Sequence, residues 1–460
     1  MIVRGEIVTL AKSDSGSTSG RTDVTGTTLD DYTGRYAQRI QGMTASEIRA
    51  LFAVASRPEV VSFAGGAPYT AGLPIDAVGE MLNELMARRG VSALQYGIGQ
   101  GEEQLREQIC SVMALEGIDA SCGASPDDVV VTTGGQQALD LIARVFLDPG
   151  DVVFAEGPTY VGALGVFQAA QAEVVHVAMD DQGLIPEALE EAITTVARSG
   201  RQAKFLYTVP TFQNPAGVTL SEQRRERVLE ICQRAGLLVV EDNPYGLFRY
   251  EGEPLRALRA RVREGVIYVG TFSKTFSPGV RVGWVLAPHA VREKLVLVNE
   301  AQILCPSPFS QAVVSAYLST MPWQEHLKGF RELYRERRDT MLESLASLMP
   351  AGTRWTRPEG GLFIWVTLPP GLHSKAMLPR AINARVAYVP GTGFYADGSG
   401  TDTMRLSYCL PPPERIREGV RRLASVMEQE MSVRAVFGAP AERGDTVGRP
   451  SVDTPAPGVA

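Results

Sequence analysis

A lysine and an arginine follow an apolar segment in a pattern that could hold a phosphorylated ligand. Lys274 lies in Thr271-Phe272-Ser273-Lys274-Thr275, directly after the run Val266–Gly270, and Arg281 follows seven residues later, behind Pro278-Gly279. Most lysines are solvated, but one desolvated among small hydroxyl residues binds its proton less tightly and can act as nucleophile and base. A guanidinium is a natural bidentate partner of phosphate.

A glycine turn provides a second candidate phosphate contact. Thr133-Gly134-Gly135-Gln136 connects the apolar run Asp128–Thr132 to a segment with helical periodicity, Gln136–Phe146. Two glycines let the backbone approach a ligand closely, and a helix N-terminus presents free N–H groups and the positive end of its dipole. The turn therefore indicates a phosphate seat, although a plain tight turn has the same sequence.

Two polar loops complete the candidate site. Asp242 follows the apolar run Leu237–Glu241, where an unpaired buried carboxylate would be costly, so a cationic partner such as a protonated ring nitrogen is expected. A helix cap or surface acid is the simpler alternative. Asn214, in the turn Asn214-Pro215-Ala216-Gly217, could donate to a phenolate oxygen, or could serve only the turn. Together these loops predict an anionic, aromatic, electron-accepting cofactor.

Composition excludes several function classes. The 460 residues are 44% hydrophobic and 21% charged, with a net charge of 45 − 52 = −7 and no basic block, which argues against nucleic-acid binding. The apolar runs are too short to span a membrane, and Met1–Leu10 lacks a secretory pattern. Five scattered cysteines and four scattered histidines form no metal-ligand spacing. We expect a cytoplasmic protein with no metal.

The elements that must position these loops alternate along the chain. Short, continuously apolar strands separated by helical patterns predict a mainly parallel sheet covered by helices on both faces. In such sheets ligands bind at the carboxyl ends of the strands, where the four loops lie. Helix patterns include one from Ser221, its predicted cap, to Arg234.

The character of the sequence changes near residue 310. A long charged helix over Trp323–Leu348 precedes the predicted strands Phe363–Thr367, Val386–Val389 and Met404–Ser407. This pattern predicts a second, smaller α+β domain. We expect a large domain over 80–310, a small domain over 311–432, and an N-terminal segment over 31–79 that packs with the small domain. Residues 1–30 and 433–460, poor in apolar residues, are predicted to be disordered tails.

Taken in order, the motifs resemble those of the fold-type I pyridoxal-phosphate enzymes, specifically the class I/II aminotransferases of the 2-aminoadipate and kynurenine aminotransferase branch. The resemblance covers about Arg39–Arg422. It implies a large mainly parallel-sheet domain sandwiched by helices, a smaller α+β domain, and transfer of an α-amino group to a 2-oxo acid. The matching segments are Ser62–Pro68, Leu94–Gly97, Thr132–Asp140, Gln213–Gly217, Glu241–Tyr245, Ser273–Lys274 with Pro278–Trp284, and Arg405–Tyr408.

The resemblance also implies roles at the cofactor. Lys274 would bind pyridoxal phosphate covalently and move a proton, and Asp242 would keep the pyridine nitrogen protonated. Tyr160 would stack on the ring and counts with these two as catalytic. The other implied cofactor contacts are Gly134, Gly135, Gln136, Asn214, Tyr245, Thr271, Ser273 and Arg281.

Further implied roles concern the substrate and a second subunit. Arg405 would clamp the α-carboxylate. Gly65, Gly66 and Asn214 would lie on the substrate side. Arg49 matches an arginine that contacts the side-chain carboxylate of substrates in 2-aminoadipate-type relatives, which favours glutamate and 2-oxoglutarate as one pair; a surface helix arginine is the alternative. Tyr96 would reach the phosphate of the neighbouring subunit, which implies a homodimer with shared sites.

Two departures from the family pattern concern affinity and specificity. Gly135 stands where many relatives have serine, so one hydroxyl contact to the phosphate is missing. The segment that lines the substrate pocket in relatives has a different sequence here, Leu304-Cys305-Pro306-Ser307-Pro308. Substrate choice is therefore the expectation that transfers least readily from the family to this chain.

Two other functions remain open. A lyase, decarboxylase or oxygen-dependent oxidase could use the same scaffold, because the fold fixes the cofactor and not the fate of the carbanion. A ligand-sensing regulator could also carry an aminotransferase-like domain, but the segment before the resemblance is neither basic nor helix-turn-helix in pattern.

Overall fold

The structure is a computed structural model that describes residues 33–41, 43 and 57–437. Arg49 and the predicted tail 1–30 lie outside the described residues. Residues 33–41 belong to a unit separate from the rest of the chain, with a 3-10 turn over Thr33–Arg35 and a short helix over Gln38–Gln41. The last helix extends to Phe437, so the predicted tail boundary at Val433 falls inside this helix.

The largest element is an eight-stranded mixed sheet in the order β2-β9-β8-β7-β6-β3-β4-β5. Its central strands β8, β7, β6, β3 and β4 pair in parallel, and β2, β9 and β5 add antiparallel edges. The strands are β2 Val129–Thr132, β3 Val152–Gly157, β4 Glu173–Asp180, β5 Gly183–Leu184, β6 Ala203–Thr208, β7 Leu238–Asp242, β8 Val266–Thr271 and β9 Gly283–Leu286.

Helices cover the sheet on both faces, because most of its strands are largely apolar and must be buried on each side. All four residues of β2 and of β9 are buried, for example. The helix Gly135–Phe146 buries the apolar face that its periodicity predicts, from Ala138 to Ala143. The helices of this part are Ile75–Ala93, Glu103–Met113, Gly135–Phe146, Val161–Ala169, Pro186–Arg198, Glu222–Ala235, His289–Ile303 and Pro308–Thr320.

A second, four-stranded antiparallel sheet follows in the chain, in the order β10-β11-β14-β13. Ahead of the large sheet, β1 pairs in parallel with β12, which joins the segment after residue 57 to the later part of the chain. The strands are β1 Val61–Ser62, β10 Arg354–Trp355, β11 Phe363–Thr367, β12 Val386–Ala387, β13 Val389–Pro390 and β14 Thr403–Ser407, and the helices are Trp323–Leu348, Ser374–Asn383 and Pro413–Phe437.

Two local predictions differ from the structure. The strand predicted over Val386–Val389 is two short strands, since β12 pairs with β1 and β13 pairs with β14. Ser221 occupies the N-cap position of Glu222–Ala235, but its hydroxyl caps no backbone N–H and is buried without a hydrogen-bond partner. Within the described part of the chain, no helix is long and apolar enough to cross a membrane.

Candidate active site

One cavity of about 410 Å³ lies at the carboxyl ends of the parallel strands, which is large enough for a small cofactor. The loops that follow β2, β6, β7 and β8 all contribute to its wall, together with residues of β11 and β14. Of the predicted site residues, those that line it are Gly66, Gly135, Gln136, Tyr160, Asn214, Asp242, Tyr245, Thr271, Ser273, Lys274, Arg281 and Arg405.

The amino group of Lys274 lies inside this cavity and donates to the carbonyl oxygen of Gly66 at 2.8 Å. Lys274 follows β8, so the strand delivers it to the edge of the sheet where the other loops meet. Burial lowers the pKa of Lys274 to about 8, and the cations Arg405 and Arg281 act in the same direction. With this pKa, roughly one amine in ten is neutral at pH 7 and about half are neutral at pH 8, which supplies the free amine that a nucleophile and base requires.

Asp242 ends β7 and is buried on the floor of the cavity, where Tyr207 donates a hydrogen bond to its Oδ2 at 2.8 Å. Burial raises the pKa of Asp242 to about 7, while the Tyr207 hydrogen bond opposes that shift. A buried carboxylate of this kind is best stabilised by a nearby cation, and a protonated ring nitrogen is such a cation.

The candidate phosphate seat joins the glycine turn to the lysine loop. Arg281 donates to the Ser273 hydroxyl at 3.2 Å and to the Thr133 carbonyl oxygen at 3.2 Å, and it remains exposed to solvent. Thr271 donates to the Ser273 hydroxyl at 2.9 Å. The helix Gly135–Phe146 starts at this place with N–H groups that have no partner inside the helix. Guanidinium, hydroxyls and helix N-terminus thus converge on one region.

Gly134 is required for that convergence. It adopts a left-handed φ of +81°, and a Cβ there would lie 2.2 Å from Nη2 of Arg281. A side chain at this position would push the guanidinium away from the turn. At Gly135, by contrast, an added Cβ would meet nothing closer than 3.9 Å. The first glycine is therefore needed for close packing, and the second leaves room for a side chain.

Arg405 is buried on the opposite wall, in β14. Its guanidinium donates to Oδ1 of Asn214 at 2.9 Å and to the carbonyl oxygen of Ala64 at 2.8 Å. It also lies 4.2 Å from the centroid of the Phe363 ring and 5.1 Å from that of Phe394. Burial lowers the pKa of Arg405 to about 10, so the group stays cationic near neutral pH. Nε of Arg405 is buried with no hydrogen-bond partner, which leaves donor capacity for an anionic ligand.

Aromatic residues form the remaining walls. Tyr160 donates from its hydroxyl to Oε1 of Gln136 at 3.1 Å, and Gln136 donates to the carbonyl oxygen of Gly162 at 2.8 Å. These bonds fix the phenol beside the glycine turn. Tyr245 is buried and meets the ring of Phe363 edge to face, with 5.7 Å between centroids. Burial raises the pKa of both tyrosines, so each hydroxyl stays a donor.

Three predicted site residues within the described part of the chain do not line this cavity. Gly65 and Gly134 each adjoin a lining residue, Gly66 and Gly135 respectively. Tyr96 is 77% exposed and lies away from the cavity of its own chain. Arg49 lies outside the described residues.

Sequence reasoning missed several contributors. Phe363 lines the cavity, and the Arg405 guanidinium packs against the face of its ring. Tyr207 donates a hydrogen bond to Asp242. The one signal for Tyr207 in the sequence was its hydroxyl, near the end of the mainly apolar run Phe205–Thr208. The structure pairs this strand with the one that carries Asp242. Other lining residues not predicted are Leu139, Val161, Gly162, Val209, Pro244 and Pro278.

The donor set fits pyridoxal phosphate. A phosphate would need cationic and backbone donors, a pyridine nitrogen would need an acid to keep it protonated, and an aldehyde would need a primary amine within the same cavity. Arg281 with the glycine turn, Asp242, and Lys274 meet these three needs in one cavity. A mixed sheet covered by helices, with this site at its strand ends, defines a fold-type I pyridoxal-phosphate enzyme.

Comparison with known proteins gives the family. The description "Aminotransferase class I and II" matches residues 58–423, and the chain belongs to this family. It is 43% identical over 403 residues to aromatic-amino-acid aminotransferase 1 of Thermococcus litoralis, covering 87% of this chain and 96% of that protein. It is 37% identical over 399 residues to 2-aminoadipate transaminase of Thermus thermophilus, covering 86% and 96%.

A solved structure agrees. The kynurenine aminotransferase of Pyrococcus horikoshii, solved in complex with PMP, superposes with a TM-score of 0.83 at 41% identity and covers 88% of this chain and 100% of that one. The predicted fold class, cofactor and reaction type are confirmed: the chain is a pyridoxal-phosphate-dependent aminotransferase that moves an α-amino group to a 2-oxo acid.

Proposed function

We propose that this aminotransferase takes amine from an aromatic amino acid and uses glutamate and 2-oxoglutarate as its second pair, at a site completed by a second copy of the chain. The observation that carries the catalytic part is the meeting of Lys274, Asp242 and Arg405 in one cavity of about 410 Å³. Transamination needs a mobile proton carrier, an anchored ring and a carboxylate clamp, and these three side chains provide one of each.

The cofactor would be held from three sides. Arg281, Ser273, Thr271 and the N–H groups of the glycine turn would bind its phosphate, and Asp242 would pair with its ring nitrogen. Asn214 and Tyr245 would bind the phenolic oxygen, and Tyr160 would cover the ring. When bound, pyridoxal phosphate accepts the electron pair left on the α-carbon when that carbon loses its proton.

Lys274 would act as the proton carrier at Nζ. Its pKa of about 8 lies close to neutral pH, where a general base works best, and the Gly66 carbonyl oxygen holds the amine in place at 2.8 Å. Arg405 would orient the substrate, since a guanidinium fixed by Asn214 and Ala64 can bind an α-carboxylate with little loss of freedom.

The choice of substrates rests on two supports. The relative that is 43% identical is named an aromatic-amino-acid aminotransferase, and a structural neighbour acts on KYN. In this chain, the ring of Phe363 lines the cavity beside Arg405, next to where the substrate carboxylate would bind, which suits a flat apolar substrate. Arg49, outside the described residues, is proposed to bind the second carboxylate of glutamate, as the 2-aminoadipate transaminase relative suggests.

A homodimer is part of the proposal because one predicted cofactor contact, Tyr96, does not line the cavity of its own chain. Leu94, Tyr96 and Ile98 are 71%, 77% and 59% exposed, which is unusual for three apolar residues in one short segment. Gly97, between them, donates from its backbone to Sγ of Cys305 at 3.4 Å, so the exposed segment is anchored on the protein surface. A partner subunit would cover this patch and receive Tyr96 at its phosphate.

The division of labour between domains is also proposed. The eight-stranded sheet lies within the predicted large domain, 80–310, and the four-stranded sheet within the predicted small domain, 311–432. The large domain would hold the cofactor, and the small domain would present Arg405 to the substrate.

The test is a donor and acceptor panel with product identification. Purified protein loaded with pyridoxal phosphate is incubated with phenylalanine, tyrosine, kynurenine, glutamate or 2-aminoadipate and with 2-oxoglutarate or a second 2-oxo acid. The proposal expects equal amounts of a new amino acid and a new 2-oxo acid, with an aromatic donor and 2-oxoglutarate the best pair. Release of ammonia, carbon dioxide or peroxide instead would identify a lyase, decarboxylase or oxidase, and Lys274→Ala is the inactive control.

A further inference from the structure

We propose that Tyr207 is a positioning residue for Asp242: its hydroxyl fixes the orientation of that carboxylate and keeps it charged toward the cofactor ring. The inference rests on the proposed role of Asp242 in binding the ring nitrogen. The contact that carries it is the 2.8 Å hydrogen bond from the Tyr207 hydroxyl to Oδ2 of Asp242, between two buried side chains.

The sheet register places the two residues for this contact. β6 and β7 are parallel neighbours, in which Tyr207 lies opposite Val240 and Thr208 opposite Glu241. Side chains two residues apart on a strand point to the same face, so Asp242 projects on the face that Val240 and Tyr207 share. The side chain of Tyr207 can therefore extend along the strand direction, so that its hydroxyl contacts the Asp242 carboxylate on the neighbouring strand.

Packing holds the phenol of Tyr207 in this orientation. Tyr207 has no exposed surface, and its ring meets that of Phe167 edge to face, with 5.6 Å between centroids. Because the ring cannot move, its hydroxyl is a fixed donor and occupies Oδ2 of Asp242. The second carboxylate oxygen, Oδ1, is left for another donor, which the proposed function identifies as the protonated ring nitrogen.

The charges around Asp242 explain why such a donor is needed. Glu156 on β3 and Lys274 after β8 face it with opposite signs, and the phenols of Tyr160 and Tyr245 are near it. Burial raises the pKa of Asp242 to about 7, Glu156 adds to the rise, and the Tyr207 hydrogen bond lowers it. Without the hydroxyl, the carboxylate would hold its proton up to a higher pH and lose the charge that a ring cation requires.

Tyr207→Phe removes only this hydroxyl and fills the same space. The matched control is Tyr388→Phe, because Tyr388 is equally buried and its hydroxyl donates to the Ser374 carbonyl oxygen at 2.6 Å, outside the site. The ligand is pyridoxamine phosphate, which carries the same ring and phosphate but no aldehyde, so Lys274 cannot bond to it covalently. Its affinity for the full-length, cofactor-free protein is measured by calorimetry from pH 5.5 to 8.5.

We expect Tyr207→Phe to bind pyridoxamine phosphate about tenfold more weakly at neutral pH, since a hydrogen bond to a charged group is lost. The pH dependence of this affinity is set by the Asp242 carboxylate. The affinity should fall as the pH is lowered, because Asp242 takes up a proton and loses its charge. In Tyr207→Phe this fall should begin at a higher pH than in the wild type. Tyr388→Phe should match the wild type in both affinity and pH dependence. In an Asp242→Asn background, Tyr207→Phe should cause no further loss, because the two residues act through one contact.

Three results would overturn the inference: unchanged affinity in a folded Tyr207→Phe protein, an equal loss in Tyr388→Phe, or the same loss in the Asp242→Asn background. The readout is binding, so it is separate from the reaction. A wild-type protein that binds pyridoxamine phosphate but transfers no amine contradicts the proposed function alone, and one that does not bind it contradicts both.

Discussion

The amino nitrogen of Lys274 lies 2.8 Å from the carbonyl oxygen of Gly66, a residue 208 positions earlier in the chain. The contact links the loop after β8 to the segment after β1. Strand β1 in turn pairs with β12. The amine is thus held between the cofactor region and the Arg405 wall. A Cβ on Gly66 would lie 2.8 Å from Cζ of Phe363, so the carbonyl can approach only where residue 66 has no side chain.

Replacing the lysine tests its central role. Lys274→Ala should reduce turnover by at least about a thousandfold, because one group is both nucleophile and proton carrier. The measurement is steady-state amine transfer with the best donor and acceptor pair. Bound cofactor should remain detectable, since the phosphate seat is intact. Activity within a few-fold of the wild type would remove Lys274 from the mechanism.

The pH dependence of cofactor capture follows from the lysine environment. Burial lowers the pKa of Lys274 to about 8, so the fraction of neutral amine rises as the pH increases through that value. The rate at which the cofactor-free protein captures pyridoxal phosphate should rise in step, with a midpoint near pH 8 and not near 10.4, the ordinary value for lysine. Stopped-flow absorbance measures the rate; a midpoint above pH 9.5 would show that the amine is solvated.

The variant Arg405→Lys should distinguish binding of the α-carboxylate from the amine-transfer step. A lysine keeps the charge but cannot bind a carboxylate through two parallel hydrogen bonds, so kcat/KM for amino acids should fall about a hundredfold, chiefly through KM. An amine without a carboxylate is the control substrate, and its slow reaction should change little. Equal losses for both kinds of amine would show that Arg405 supports the fold of the site and does not bind the α-carboxylate.

The glycine turn has room for an additional ligand contact. A Cβ at Gly135 would meet nothing closer than 3.9 Å, and the residue begins a helix, where serine is preferred over glycine. Gly135→Ser should therefore tighten cofactor binding by about three- to tenfold, as one additional hydrogen bond to the phosphate would. Gly134→Ser is the matched control: with φ of +81° and Arg281 in the way, it should weaken binding. Weaker binding in Gly135→Ser would place the phosphate elsewhere.

Mixed dimers test whether the sites are shared. Lys274→Ala and Tyr96→Ala proteins should each be impaired, and each mixed dimer should contain one intact site, built from Lys274 of one subunit and Tyr96 of the other. Unfolding and refolding the two variants together should restore activity well above their sum, with a dimer in sedimentation. No recovery, or a monomer that is fully active, would show that each chain carries a complete site.

The sequence was sufficient to single out the loops after β2, β6, β7 and β8, because strand ends, glycine turns and the residue types beside them are local features. Lys274, Asp242 and Arg281, which were singled out in this way, line one cavity, and the long helix Trp323–Leu348 has the bounds that its pattern predicts. Family resemblance added Arg405, because its contact with Asn214, 191 positions away, has no local signal.

Contacts set by strand register were not predictable. Tyr207 meets Asp242 only because β6 and β7 pair with Tyr207 opposite Val240, and local spacing does not encode that register. Ser221 shows the reverse failure: its position before a helix predicts a capping bond, yet its hydroxyl is buried without one. In both cases tertiary packing, and not the local sequence, decides what the polar atom contacts.

The most direct measurement of the central claim is an absorbance titration of the cofactor-loaded protein with single amino acids and no acceptor. The account predicts that the long-wavelength band of the bound cofactor disappears with one equivalent of the donor's 2-oxo acid formed, and that adding 2-oxoglutarate restores it. A band that disappears only with release of ammonia, carbon dioxide or peroxide, or that 2-oxo acids cannot restore, would contradict amine transfer at this site.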